Sequence, residues 1–231
     1  MGRGRSGGGS GSRQKRRIVG GIPRVNVSSE RDMLSESGIQ SQPAYAGFLN
    51  ASKRLVDDYG DNALAAQFMI AKLKGASNGV IAYYDSSNGH VAINERFLDD
   101  NLLESAYDGC VKNGFHPSKG NKSASEAVAA HELGHAMTDA IAKKMGLENE
   151  FMPVHKAAQR IIDEARATKS GKTKISQDAW AGRISGYAQQ NAAETVAEAV
   201  ADVYCNRTKA HKESKAIMRV VNKYIKQKKS K

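Results

Sequence analysis

"AVAAHELGHAMTDAI", residues 127–141, sets two histidines four positions apart with a glutamate directly after the first. Ser123 and Glu126 form an S-x-x-E capping box, so a helix is expected to start at 123. Alanine-rich sequence carries that helix to Lys144, and Gly146 ends it. His131 and His135 then lie one turn apart on the same face. Two imidazoles presented in this way can both reach one Zn2+ at about 2.0–2.1 Å. Glu132 is rotated round the helix from them, so it addresses a water beside the ion instead of the ion. Its task would be to take a proton as that water attacks a peptide carbonyl. Gly134 costs helix stability, which points to space in use beside the ligands. The competing reading is an amphipathic helix in which the five-residue pattern arises by chance. The helical context, the cap and the glycine weigh against it.

A peptidase centre needs a third protein ligand and an open fourth position. Asp139 continues the same helical stripe, and one straight helix cannot wrap three ligands round one ion. The HExxHxxGxxH spacing is absent, because Ile141 stands where its last histidine would be. His155, two residues after Pro153, could reach the metal after a turn, but reads as the first turn of a helix over 154–168. The strongest candidate is in "ISGYAQQNAAETVAEAVADVY", residues 184–204, where a largely buried helix is expected. Glu194, Glu198 and Asp202 recur there every four residues among alanines and valines. Carboxylates on a largely buried helix are costly unless paired or metal-bound. One glutamate could bind zinc, and the next could orient a ligand histidine through its free ring N–H.

"HELGHAMTDA" taken with "SGYAQQNAAETVAEAV" resembles the catalytic domain of anthrax lethal factor and related gluzincin-type zinc peptidases. That family pairs HExxH with a tyrosine, a glutamate seven residues on, and a small-residue helix of the form E-x-x-A-E-A. Tyr187 and Glu194 have this spacing, and residues 194–199 match the helix pattern. The resemblance implies Zn2+ as cofactor, with His131, His135 and Glu194 as ligands and Glu132 as general base. It implies Glu198 as the outer partner of a ligand and Tyr187 as hydroxyl donor to the developing oxyanion. The "YA…ETVAEAVADVYCN" ending also looks like the peptidase-like domains of phage minor head and head-morphogenesis proteins. That second likeness implies phage head proteins as partners and virion association, although no large portal-binding or capsid region is evident upstream. The expected fold is α+β and zincin-like: mostly helical, with a small β-hairpin or sheet packed over the HExxH helix. The expected function is zinc-dependent endopeptidase, its substrate a protein or peptide. The other reading is a non-catalytic phage structural or DNA-associated protein that keeps the fold with a structural zinc.

The rest of the chain supplies the frame. At 231 residues it can bury a full core, and one domain with tails is expected. Residues 1–30 are a basic Gly/Ser/Arg-rich tail expected to be disordered. Residues 31–78 form a helical segment with helices near 43–58 and 61–74. Residues 79–206 hold the zincin-like domain, and 207–231 a basic helix (210–227) and tail. "GVIAYYDSSNGHVAINE", 79–95, reads as a hairpin with strands 80–84 and 90–94 about a turn at Ser87-Asn88-Gly89. Either strand could offer a sheet edge to a substrate peptide. A helix near 95–113 and a loop over 114–122 follow.

Of the net charge of +11, the first 17 residues carry six positives and no acid. Residues 207–231 carry ten positives against Glu213, which leaves the centre at −4. Such ends can contact nucleic acid without reading its sequence. Trp180 is expected in the core, and Cys110 and Cys205 are expected to be free thiols. No apolar run of membrane-spanning length occurs, and no signal-type apolar segment follows the basic start. A cytoplasmic location, in a host cell or a virion, is the expectation.

Overall fold

The computed structural model describes residues 42–60, 66–73, 75–167 and 175–226. The expectations for residues 1–30, and for the ends of the helices near 61–74, 154–168 and 210–227, lie outside those residues.

Helix α1 spans Pro43–Tyr59 and opens on its proline, whose missing N–H costs nothing there. Ala44, Phe48, Ala51 and Leu55 form its buried stripe. Strands β1 (Gln67–Ala71), β2 (Ala82–Asp85) and β3 (His90–Asn94) follow. Strand β1 corrects the helix expected over 61–74 and the all-helical reading of 31–78. QFMIA is a short apolar run, in which helical and strand periods cannot be told apart. Its pairing partner is β3, more than twenty residues on, with Gln67 opposite His90 and Ala71 opposite Asn94 in parallel register.

The hairpin forms as expected, with Ala82 opposite Ile93 and Asp85 opposite His90. At its turn the Asp85 carboxylate accepts from Ser87 N and Ser87 Oγ at 2.9 and 2.6 Å. The sheet order is β1-β3-β2. Residues 90–94 are therefore the central strand and have no free edge, which leaves β2 as the hairpin's edge. Buried Asn94, 1 % exposed, donates to the carbonyls of Asn78 and Val80 at 3.2 and 2.8 Å. It thereby pins the segment leading into β2.

A single 3-10 turn, Glu95–Phe97, precedes helix α2 (Asp100–Lys112), where one helix over 95–113 was expected. Asp99 caps α2 by accepting from Leu102 N at 2.9 Å. Helix α3, Ala124–Lys144, has the complete capping box at Ser123 and Glu126. It is buried on nearly every side, which its alanines permit by letting neighbours approach closely. Helices α4 (Pro153–Ala167), α5 (Gln177–Ala181), α6 (Ala192–Asn206) and α7 (Lys212–Lys226) complete the chain.

The buried helix expected within 184–204 begins at 192. Asn191 accepts from Glu194 N at 3.1 Å and caps it there, while Tyr187–Gln189 form a separate 3-10 turn. One apolar cluster joins α1, the sheet, α2, α3, α4, α6 and α7. Leu133, Met137, Ile161, Val196, Val200, Ile217 and Val221 lie inside it. Trp180 is in the same core, 2 % exposed. Cys110 and Cys205 are free thiols. Among the described residues no helix is long and apolar enough to cross a membrane.

Candidate metal centre

Helices α3 and α6 run antiparallel across the middle of the core. Tyr204 Oη donates to Glu126 Oε1 at 2.7 Å at one end of the pair, and Glu194 meets His135 at the other. They approach closely because residue 134 has no side chain. A Cβ there would stand 2.8 Å from Ala197 Cα and 3.1 Å from Val200 Cβ, both inside ordinary contact. The space left by Gly134 is thus taken by the backbone of α6, not by a ligand.

Between the two helices three potential donors converge. His131 Nε2 and His135 Nε2 are 3.2 Å apart. Glu194 Oε2 lies 3.1 Å from the first and 3.3 Å from the second. Ligands set tetrahedrally at about 2.0–2.1 Å from an ion stand roughly 3.3–3.4 Å from one another. The triangle fits one face of such a tetrahedron. Glu194 Oε2 is also buried with no hydrogen-bond partner, an arrangement that an ion at the centre would resolve. His131, Glu132 and His135 likewise offer ligand atoms within 4.8 Å of one another, all three buried. The shorter distances favour Glu194 as third ligand and leave Glu132 beside the triangle. Two imidazole nitrogens and a carboxylate oxygen form a donor set suited to zinc.

The surroundings fix how the donors present themselves. Glu198, 1 % exposed, accepts at Oε1 from His131 Nδ1 at 2.8 Å and from His116 Nδ1 at 3.0 Å. Its other oxygen accepts from Ser185 Oγ at 2.7 Å. When the ring is neutral, the tautomer that Glu198 favours, with the proton on Nδ1, directs the lone pair of Nε2 into the triangle. Burial alone would lower the His131 imidazole, but the Glu194 and Glu198 carboxylates outweigh it and hold its pKa well above the ordinary value. Burial likewise works against ionising Glu194 and Glu198, yet the neighbouring histidines hold both carboxyls below the usual range. Glu132 differs: burial prevails over the pull of His131 and His135, and its pKa is raised.

Tyr187 stands on the turn just before α6. The backbone N–H groups of Gly186 and Tyr187 donate to the carbonyls of Gly114 and Phe115 at 2.8 and 2.9 Å. This places the Tyr187 ring 5.6 Å from that of His131 and 5.2 Å from that of His116. Burial, and then the Glu194, Glu132 and Glu198 carboxylates, raise its phenol, so it remains a proton donor. A cavity of about 250 Å³ opens beside these groups. His116, His131, Glu132 and Tyr187 give it a polar side, and Val80, Ile81, Phe115 and Val128 an apolar one.

All six residues singled out from the sequence, His131, Glu132, His135, Tyr187, Glu194 and Glu198, gather here. Asp202, the third member of the acidic stripe, serves elsewhere. It accepts from His211 N at 2.8 Å and Asn206 Nδ2 at 2.9 Å, and so closes the corner between α6 and α7. Asp139 accepts from Tyr84 Oη at 3.1 Å and Lys143 Nζ at 2.8 Å, which ties β2 to α3. His155 feels the charges of Glu194 and His135 but does not join the cluster of ligand atoms. His116 and Ser185 were not anticipated. Their sequence contexts, "GFHPS" and "RISGY", carry no spacing motif, and only the fold brings them to Glu198. Comparison with known protein families, with curated proteins and with solved structures finds no match to this chain.

Proposed function

We propose that the chain is a zinc-dependent endopeptidase of zincin-like fold, with His131, His135 and Glu194 as its metal ligands. The observation that carries this reading is the 3.1–3.3 Å triangle of donors, one of which, His131, lines a cavity together with the buried Glu132 carboxyl and the Tyr187 phenol. A zinc ion bound there supplies Lewis acidity, to a substrate carbonyl and to a water.

The chain's own groups account for the remaining steps. Glu132 accepts the proton released as water adds to the carbonyl carbon, then passes it to the departing amine. Its raised pKa suits both transfers. Tyr187 donates its hydroxyl hydrogen to the carbonyl oxygen as that atom gains charge. Glu198 keeps His131 in the ligating tautomer. The apolar walls suit a hydrophobic side chain next to the scissile bond. The lead into β2, the free edge of the hairpin, supplies one wall of the cavity and could align an extended peptide. A structural zinc site closes itself with a fourth protein ligand. The open cavity beside this triangle supports catalysis over that alternative. In this reading the substrates are proteins or peptides, and phage head proteins are the class that the second resemblance suggests.

Metal analysis tests the centre: about one zinc per chain is expected, lost in Glu194→Ala. Glu132→Gln should retain zinc and lose cleavage of a broad peptide library. A wild-type protein that holds zinc but cleaves nothing in that library would overturn the peptidase reading.

A further inference from the structure

His116 reaches the centre from outside both helices that build it. It sits in the loop between α2 and α3, its ring stacked on Tyr107 at 5.4 Å with an interplanar angle of 4°. Tyr187 packs edge-on against it at 5.2 Å. Held between these rings, His116 aims Nδ1 at Glu198 Oε1, the oxygen that also receives His131 Nδ1. Ser185 occupies Oε2. Three donors from three separate segments thus converge on one carboxylate that is almost entirely buried. That number nearly satisfies a carboxylate's capacity for acceptance. Loss of any one would leave a buried anion short of a partner and free to turn.

We propose that His116 is a positioning residue of the metal centre. Its Nδ1–H fixes the rotamer of Glu198, and through Glu198 the orientation of the His131 ring as a ligand. The inference rests on the zinc reading above. Groups bonded directly to a ligand, as Glu198 is to His131, typically change metal affinity by about 10–100-fold when removed, and His116, one bond further out, is expected at the low end of that range. Separate backbone bonds tie the loop carrying His116 to the Tyr187 turn, since the carbonyls of Gly114 and Phe115 accept from the N–H groups of Gly186 and Tyr187. His116 therefore couples a cavity wall to the ligand set.

Two substitutions separate the hydrogen bond from the ring packing. His116→Phe keeps an aromatic ring between Tyr107 and Tyr187 but has no donor. His116→Gln keeps a side-chain N–H for Glu198 but has no ring. Zinc affinity of each metal-free protein is measured by competition with a chromogenic chelator at fixed pH, alongside its metal-free melting temperature. His116→Phe is expected to bind zinc about tenfold more weakly than wild type, and His116→Gln to stay within about threefold. Wild-type affinity in His116→Phe, or tighter binding by His116→Phe than by His116→Gln, overturns the assignment. Failure of the underlying zinc reading shows separately, as a wild-type chain that binds no zinc.

Discussion

Replacing Gly134 by alanine sets two effects against each other. Alanine is the better helix former by about 0.8–1.0 kcal/mol, which favours the variant at an interior helical position. The added Cβ, however, would sit 2.8 Å from Ala197 Cα. Carbon atoms rest at about 3.5–4.0 Å, so α6 must retreat by roughly 0.7 Å or more. Backbone cannot swing aside like a side-chain tip, and such overpacking costs about 1–3 kcal/mol. The net expectation is a loss of up to about 2 kcal/mol in the metal-free protein.

The proposed metal centre should suffer more, because Glu194, its third ligand in that reading, lies on the helix that moves. Retreat by that amount would lengthen its 3.1 and 3.3 Å approaches to the histidines to nearly 4 Å, depending on direction. A ligand bond tolerates only about 0.2 Å. Zinc affinity in Gly134→Ala should therefore fall at least tenfold, read by chelator competition, while thermal denaturation reports the stability change. A Gly134→Ala protein that matches wild type in both zinc affinity and melting temperature would refute the close-approach argument.

The metal-free protein should have a bounded pH range of stability. Glu194 and Glu198 have lowered pKa values, so their contribution is present above about pH 4.3 and is lost as pH falls through those values. His131 is raised, so its contribution is full below about pH 6.5 and is lost as pH rises through the raised pKa. Melting temperatures in excess chelator should decline on both sides, and zinc should remove the upper decline by taking the place of the His131 proton. A chelated protein whose melting temperature climbs steadily from pH 6 to 9 would contradict this. Val128→Trp should fill much of the cavity. Its kcat/KM should drop at least tenfold for peptides with a bulky apolar residue beside the cleaved bond, and change little for those with glycine or alanine there. Equal losses for both peptide classes would count against the apolar wall as a substrate contact.

What the sequence disclosed was local or periodic. The capping box at Ser123 and Glu126, the turn at residues 87–89 and the four-residue spacing of His131 and His135 all act within one element. The buried stripe on α6 was legible because carboxylates among valines and alanines demand partners. Strand β1 was not, because its identity depends on a parallel neighbour whose position no local pattern encodes. The start of α6 had a local signal, Asn191 three residues before Glu194, of the kind that caps a helix. His116 lay beyond reach for another reason. Its role depends on a contact with Glu198 across 82 positions.

The pairing of α3 with α6 sets the kinds of length change this chain can absorb. Glu126 with Tyr204, His131 with Glu198 and His135 with Glu194 all obey a single antiparallel alignment. Inserting or deleting one residue within 126–135 or 194–204 would turn everything beyond it by about 100° and shift it by about 1.5 Å. The pairs on one side of the change could then be kept only by giving up those on the other. The connection at residues 146–152 bears none of these pairs, and its lengthening costs only slowly growing closure entropy. Variation among natural or designed descendants of this protein should accordingly accumulate as loop insertions between α3 and α6, while the two helices keep their lengths residue for residue.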